Sequence, residues 1–378
     1  MMIPFNQPWM TGRELDNIGQ AHLNMHLSGD GPFTRRCHDA LRALTGSPCA
    51  LLTHSCTAAL EMAAMLAGFG EGDEVIVPSY TFVSTANAFV LRGGVPVFVD
   101  VRADTLNIDE RLIEAAITPR TRAICVVHYA GVPCEMDAIG DIARRHGLVV
   151  VEDAAQAILS DYRGRPAGSL GDFGALSFHE TKNVICGEGG ALLVNDPALF
   201  EQAEIVREKG TDRSRFFRGQ VDKYTWVSRG SSYLPGEITA AFLAAQLDDA
   251  AELTRRRRAI WETYHAWAEP HARAGRIRRP HVPEGCGHNA HMYWLLLPSL
   301  AARTAMIDSL RDDGVNAVFH YVPLHSSPAG RRFGRSHGEL PVTDAVGDGL
   351  LRLPLWIGLE EHLPRVLEAA DRALLALD

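Results

Sequence analysis

One lysine stands where an apolar run ends. Residues 177–183 read SFHETKN, after the lead-in GALSF (174–178) and before CGEGG (186–190). A lone lysine is usually a solvated surface charge. Lys182 sits just past a predicted strand, its immediate neighbours carry no run of other charges, and the glycines behind it let backbone approach closely. A lysine drawn into a partly desolvated pocket loses its proton more easily and becomes a Schiff-base nucleophile.

Two other stretches carry matching chemistry. In VVVEDAAQ, Asp153 ends an apolar strand and begins a helix. It reads equally as an N-cap or as a carboxylate that holds a cationic ring nitrogen. In THSCTAALE, Ser55 or Thr57 is placed to cap the next helix, whose free N–H groups would suit a phosphate. Alone, that loop needs nothing more than an ordinary cap. The order phosphate loop, carboxylate, lysine, each at a successive strand end, is more specific than any one part. Together they are the parts of a pyridoxal 5'-phosphate (PLP) site.

These residues need a scaffold of alternating strands and helices. CALLT, EVIVP, PVFVDV, AICVVHY, LVVVEDAA, GALSF and GALLVN are short Val/Ile/Leu-rich runs, and amphipathic stretches separate most of them. That pattern predicts an α/β fold with a mainly parallel central sheet. Ligands of such sheets bind at the carboxyl ends of the strands. Beyond residue 197 the character changes. Residues 210–236 form a long polar, aromatic, arginine-rich connection, a length typical of functional or disordered loops. A helical stretch is predicted from Glu237 to about His271, then strands at MYWLLLP (292–298) and NAVFHYVPL (316–324). We place a large cofactor-binding domain at 1–245 and a smaller α+β domain at 246–378.

Composition narrows the class. The chain has 378 residues, more than one core usually supports, with 37 basic against 46 acidic residues. The net charge of −9 argues against a nucleic-acid partner. Seven scattered cysteines without a CxxC pair argue against a disulfide framework or cysteine zinc site. MMIPFNQPWM lacks the basic start and apolar run of a signal peptide, and no apolar run approaches the ~20 residues of a membrane helix. A soluble cytoplasmic protein is expected.

SCTAALEMAA, PSYTFVSTANAFVLRG, VEDAAQ, SFHETKN and GEGG resemble the nucleotide-sugar aminotransferases of the DegT family, which have the aspartate aminotransferase fold. The resemblance runs through nearly the whole chain. It implies a three-layer PLP-transferase fold, with Lys182 as the lysine that binds the cofactor aldehyde and Asp153 as the partner of the pyridine nitrogen. It sets Gln156 beside the ring hydroxyl, Phe82 against the ring, and Thr57, Ala58 and Ser177 on the phosphate. Many relatives carry a GYNYR-like stretch whose asparagine reaches the partner subunit's phosphate. Here the stretch is GSSYL, so Ser232 takes that place and Leu234 replaces the arginine. The resemblance also implies a homodimer with active sites at the subunit interface, L-glutamate as amino donor and a dTDP-linked keto sugar as acceptor.

Charged candidates for substrate contact lie further on. Arg213, Arg215, Arg218, Lys223 and Arg229 suit a pyrophosphate or carboxylate, and a solvated loop accounts for each equally well. Arg255 to Arg258 sit on a predicted helix and point several ways, which favours a solvated or interdomain face. His288 and His291 are too few for zinc. The resemblance sets His320 and His325 near the site entrance, with packing favoured for His320. Deoxysugar dehydratases of this fold carry histidine in place of the lysine, which Lys182 disfavours. A cofactor-binding regulator would usually add a DNA-binding module, and no basic helix-turn-helix extension is visible.

Overall fold

The computed structural model describes residues 2–377. Its main sheet has eight strands: β1 (Cys49–Thr53), β2 (Glu74–Pro78), β3 (Val95–Val99), β4 (Thr121–Val127), β5 (Val149–Asp153), β6 (Phe173–Ser177), β7 (Gly190–Val194) and β8 (Arg335–Ser336). Their order is β1-β7-β6-β5-β4-β2-β3-β8. Neighbours pair in parallel except at β7, which runs antiparallel to both β1 and β6. The connections explain the exception. Parallel strands need a crossover, usually a helix, to carry the chain back. No helix forms in 178–189, so the chain turns and returns beside β6. That turn carries Lys182.

The predicted strands are buried on both faces, which makes three layers. In β2, Val75 and Val77 pack with Leu60 and Phe89 on one side, and Ile76 packs with Ile113 and Ile139 on the other. Around β1 and β7 the second face is closed by Phe33, Leu41, Ala240 and Leu243. Alternate residues of one strand thus enter separate cores, which is why the runs read as continuously apolar.

A second, antiparallel sheet joins Tyr293–Leu296, Leu350–Leu353 and Val318–Phe319. Its core includes Ile260, Tyr264, Leu310, Val366 and Leu374. The two halves of the sequence are interleaved at the predicted 245/246 boundary. Ile3 pairs with Val315 and packs in the second core, while β8, from the C-terminal half, joins the main sheet beside β3. Two predicted elements differ in extent. The long helix divides at Asp249 into Glu237–Asp248 and Ala250–Arg273. NAVFHYVPL keeps only Val318–Phe319 as strand, because His320 and Tyr321 leave the sheet to line a cavity. No helix among the described residues is long and apolar enough to cross a membrane.

Glu74, at the start of β2, holds β8 to the main sheet. Its fully buried carboxylate accepts from Arg335 (2.9 and 3.1 Å), Arg120 (2.8 Å) and the Thr118 hydroxyl (2.7 Å). Burial by itself would raise its pKa; these donors outweigh burial and hold it at about 2. The shift is downward, so the stabilisation is complete above the ordinary carboxylate range and is lost as pH falls towards 2. Glu74→Gln is expected to cost about 2–3 kcal/mol in urea unfolding at pH 7. The gap between variant and parent should narrow between pH 4.5 and about 2. A gap that stays constant with pH would show that the carboxylate charge is not what holds β8.

Candidate active site

A cavity of about 560 Å³ opens at the carboxyl ends of β1, β2, β4, β5 and β6, with the small sheet forming its other wall. Its volume lies in the ~300–1,000 Å³ range of small-molecule sites. Lys182, Asp153, Thr57, Phe82, Gln156 and Ser177 all line it.

The Lys182 loop is fixed by its own backbone. Lys182 N–H donates to the His179 carbonyl (2.9 Å), Glu180 N–H to the Gly187 carbonyl (2.9 Å), and Phe178 N–H to the Gly189 carbonyl (2.8 Å). Gly187 has φ of 82°, the left-handed conformation that this tight return requires. Next to the lysine, Asn183 donates to the Asn289 carbonyl (2.7 Å), and its side-chain oxygen meets His291 Nδ1 (3.0 Å). The loop is therefore anchored to the opposite wall. The Lys182 amine has no hydrogen bond or ion pair among the described residues. Its pKa is lowered, chiefly by burial; Arg352 adds to the effect, and Cys56 and Asp153 oppose it without overcoming it. An amine that loses its proton more easily than an ordinary lysine is better suited to act as a nucleophile and a proton acceptor.

Asp153 ends β5 and is 5% exposed. It accepts from the Thr85 hydroxyl (2.6 Å) and the Ala155 N–H (3.2 Å), and Thr85 in turn meets Thr81 (2.8 Å). Burial still pushes the carboxyl above its usual range, against those bonds and the charge of Lys182. The pocket is short of positive charge beside Asp153, which a protonated ring nitrogen would supply. Behind it, Glu152 is bound by His128 (2.8 Å) and by the amides of Gly168, Leu170 and Gly171, which secures the approach to β6.

The opposite end of the cavity suits a phosphate. Helix Cys56–Leu66 starts there, capped by Ser55, whose Oγ accepts from the Ala58 N–H (3.1 Å). Ser55 thus makes an ordinary cap, while Thr57 turns its hydroxyl to Ser84 (2.8 Å) at the cavity edge. Ala58 is buried beneath, and its own amide is taken by Ser55. Ser177 closes this end from β6. Gly190 lets β7 press against the phosphate loop, because a Cβ there would lie 2.3 Å from the Ser55 carbonyl carbon. Phe82 leads into helix Val83–Val90, 55% exposed, with its ring 6.3 Å from Tyr321. Gln156 accepts from the Ala130 N–H (2.6 Å) and donates to the Tyr321 hydroxyl (2.9 Å). A nucleophilic amine, an under-compensated carboxylate, a helix N-terminus with two hydroxyls and an aromatic face fit pyridoxal phosphate.

The comparisons agree with that chemistry. The model of the DegT/DnrJ/EryC1/StrS aminotransferase family matches residues 10–370. The chain belongs to this family. GDP-perosamine synthase of Caulobacter vibrioides is 35% identical over 378 residues, 97% of each chain. The crystal structure of the aminotransferase TlmJ from Streptoalloteichus hindustanus superimposes with a TM-score of 0.91 at 32% identity, covering all of both chains. Spr1654 of Streptococcus pneumoniae in its PLP form gives 0.91 at 28% identity, also over the full length of both. The chain is a PLP-dependent sugar aminotransferase with the PLP-transferase fold.

Other predicted contacts of this aminotransferase lie elsewhere. Arg213, Arg218 and Ser232 border a separate cleft of about 880 Å³. There Arg213 pairs with Glu208 (3.1 Å), Arg218 pairs with Glu204 (2.8 Å), and Ser232 bridges to Glu208. Lys223 is exposed and lines neither cavity. His325 bonds Ser79 (2.7 Å) and Asp344 (3.2 Å), so both ring nitrogens are engaged away from the cavity. His320 lines the site and stacks on Tyr321 at 3.6 Å, its Nδ1 joined to the Tyr129 hydroxyl (2.7 Å). No group of three or more His, Cys, Asp or Glu among the described residues could hold a metal, His288 and His291 included.

Sequence reasoning passed over Thr85, Tyr321 and Arg352, and it assigned Arg257, with the rest of RRRR, to a solvated or interdomain face, whereas Arg257 is buried and lines the cavity. Arg257 had a readable signal. Within RRRR it alone falls on the line Leu253, Arg257, Trp261, Tyr264, the buried face of its helix. It donates to the Ala290 (3.2 Å) and His291 (2.7 Å) carbonyls. Thr85 offers a direct test of the cofactor fit. Thr85→Val removes a hydrogen bond to a carboxylate, worth ~1.5–3 kcal/mol. Cofactor retention during dialysis should fall about tenfold or more while the thermal midpoint stays close to the parent's. Unchanged retention would show that Thr85 does not support the ring partner.

Proposed function

We propose that this aminotransferase moves an amino group from L-glutamate to C4 of dTDP-4-keto-6-deoxy-D-glucose, giving dTDP-4-amino-4,6-dideoxy-D-galactose and 2-oxoglutarate. The observation that carries the transamination is the pairing, in one cavity, of a lysine with a lowered pKa and a buried carboxylate with a raised one. When bound, pyridoxal phosphate supplies a carbonyl that carries the amino group between substrates and a ring that withdraws electrons from the reacting carbon.

The protein's residues do the rest. Asp153 would keep the ring nitrogen positive, and Thr85 holds that carboxylate in place. Lys182 would hold the cofactor through its amine and, once displaced by a substrate amine, move a proton to and from the substrate carbon as general base and acid. Thr57, Ser177 and the amides at the start of helix Cys56–Leu66 would bind the phosphate. Phe82 would cover the ring, and Gln156 would lie beside its hydroxyl.

The sugar assignment rests on stretches outside the cofactor motif. GDGPFTRRC, FVDVRADTLNIDE, VREKGTDRSRFFRGQVDKYTW and AVFHYVPLHSSPAG resemble the bacterial dTDP-4-amino-4,6-dideoxygalactose transaminase of enterobacterial common antigen synthesis. A second reading, a GDP-linked 4-keto sugar as acceptor, draws on the 35% identity to GDP-perosamine synthase. The enzyme would work as a homodimer. Exposed apolar residues around the arginine-rich loop, Phe217 (70%) and Trp226 (78%) among them, support a covering partner. That partner would receive Ser232, with Arg213, Arg218 and Lys223 near its sugar nucleotide.

The test is to follow the cofactor's visible band in purified enzyme. L-glutamate should bleach it, and the dTDP-linked keto sugar should restore it. Restoration only by a GDP-linked keto sugar would favour the second reading, and no bleaching by any amino acid would overturn transamination. Lys182→Ala should lower turnover by at least about 10³-fold. Near-normal turnover in that variant would exclude Lys182 from the chemistry.

A further inference from the structure

Two arginines line the cavity, and neither meets a carboxylate among the described residues. Arg257 is buried and spends two of its nitrogens on backbone carbonyls, so it acts as a strut for the 289–291 segment. Arg352 is different. It comes from the central strand of the small sheet, Leu350–Leu353. One Nη donates to the Phe319 carbonyl (3.2 Å), the guanidinium lies 4.7 Å from the Phe5 ring centre, and Nε has no partner. Tyr321 lines the same cavity, with Tyr80 and Tyr129 packed against its ring. A cation held in aromatic surroundings without an acid is ordinarily paired by something. Of the two carboxylates that line the cavity, Asp153 is engaged by Thr85 and Ala155, and Glu188 faces His179 at 3.7 Å.

We infer that Arg352 is the receptor for the α-carboxylate of the amino donor, and so determines which amines enter the first half of the reaction. The inference rests on the proposed transamination. That reaction brings three anionic groups besides the cofactor phosphate: the donor's α- and γ-carboxylates and the nucleotide's pyrophosphate. The donor's α-carboxylate is bonded to the very carbon whose proton Lys182 moves, so its receptor must stand next to the lysine. Arg352 and Lys182 line the same cavity. The pyrophosphate is held away from the reacting C4 by the width of the sugar ring. The cofactor phosphate belongs at the other end, with Ser177 and Thr57. A planar guanidinium with free N–H groups also matches a carboxylate fork, which an ammonium does not.

Arg352→Gln and Arg352→Lys holoenzymes test this. The glutamate concentration for half-maximal bleaching of the visible band should rise at least about tenfold in both variants. Recovery of the band with the keto sugar should saturate as in the parent. Calorimetric titration with glutarate, which has two carboxylates and no amine, should show the same weakening without any reaction. The lysine variant keeps the charge and gives the reading if the glutamine variant does not fold. Unchanged glutamate and glutarate saturation would overturn the inference. Weakening confined to the keto-sugar half would overturn it too, and assign Arg352 to the pyrophosphate. A parent enzyme that no amino acid bleaches would instead overturn the transamination, and this inference with it.

Discussion

Desolvation of Lys182 and Asp153 sets the behaviour of the whole site. Burial moves the two groups towards neutrality from opposite directions, lowering the amine and raising the carboxyl. In the open they would simply form an ion pair, and the lysine would be a poor nucleophile. Here neither satisfies the other. A cationic ring nitrogen placed beside Asp153 would restore the carboxylate while leaving the lysine free to act. The desolvation that makes the empty pair uncomfortable is thus the feature that suits it to a ring carrying its own proton.

That balance needs three chain segments to converge from different strand ends. β5 delivers Asp153, the helix after β2 delivers Thr85, and the return from β6 to β7 delivers Lys182. The reversed strand is central. Had 178–189 crossed over as a helix, β7 would run parallel to β6, and the tight return that carries Lys182 would not exist. Gly190 then permits β7 to approach the Ser55 loop more closely than any side chain allows. The lysine loop and the phosphate loop are held in register by backbone contact, a less forgiving coupling than side-chain packing.

Much of this was legible from residue patterns because it depends on local rules. Apolar runs marked the strands, and residues at their ends marked the site. The Lys182, Asp153, Phe82, Gln156, Thr57 and Ser177 positions all converge on one cavity. The parts that were not legible depend on tertiary direction. Whether β7 runs parallel or antiparallel is decided by what the 178–189 link lacks. Arg257 was hidden inside a run of four arginines, where only the helical phase separates the buried one from the rest. Arg352 looks like a strand residue, and nothing in LLRLPL says which way its side chain turns. His325 went the other way, since its neighbour Ser79 comes from a distant segment.

The short strand Val318–Phe319 shows how the site competes with the sheet that carries it. A continuous NAVFHYVPL strand would have extended the pairing with Leu350–Leu353. Instead the ladder stops after Phe319, and the next two residues turn inward. His320 stacks on Tyr321 and meets Tyr129, and Tyr321 bonds Gln156. The Phe319 carbonyl, left at the end of the ladder, accepts from Arg352. Ending the strand there therefore produces an aromatic wall of the cavity and a fixed perch for a guanidinium. The small sheet gives up regular hydrogen bonds at the edge where it meets the large sheet's strand ends, and that edge becomes a wall of the cavity.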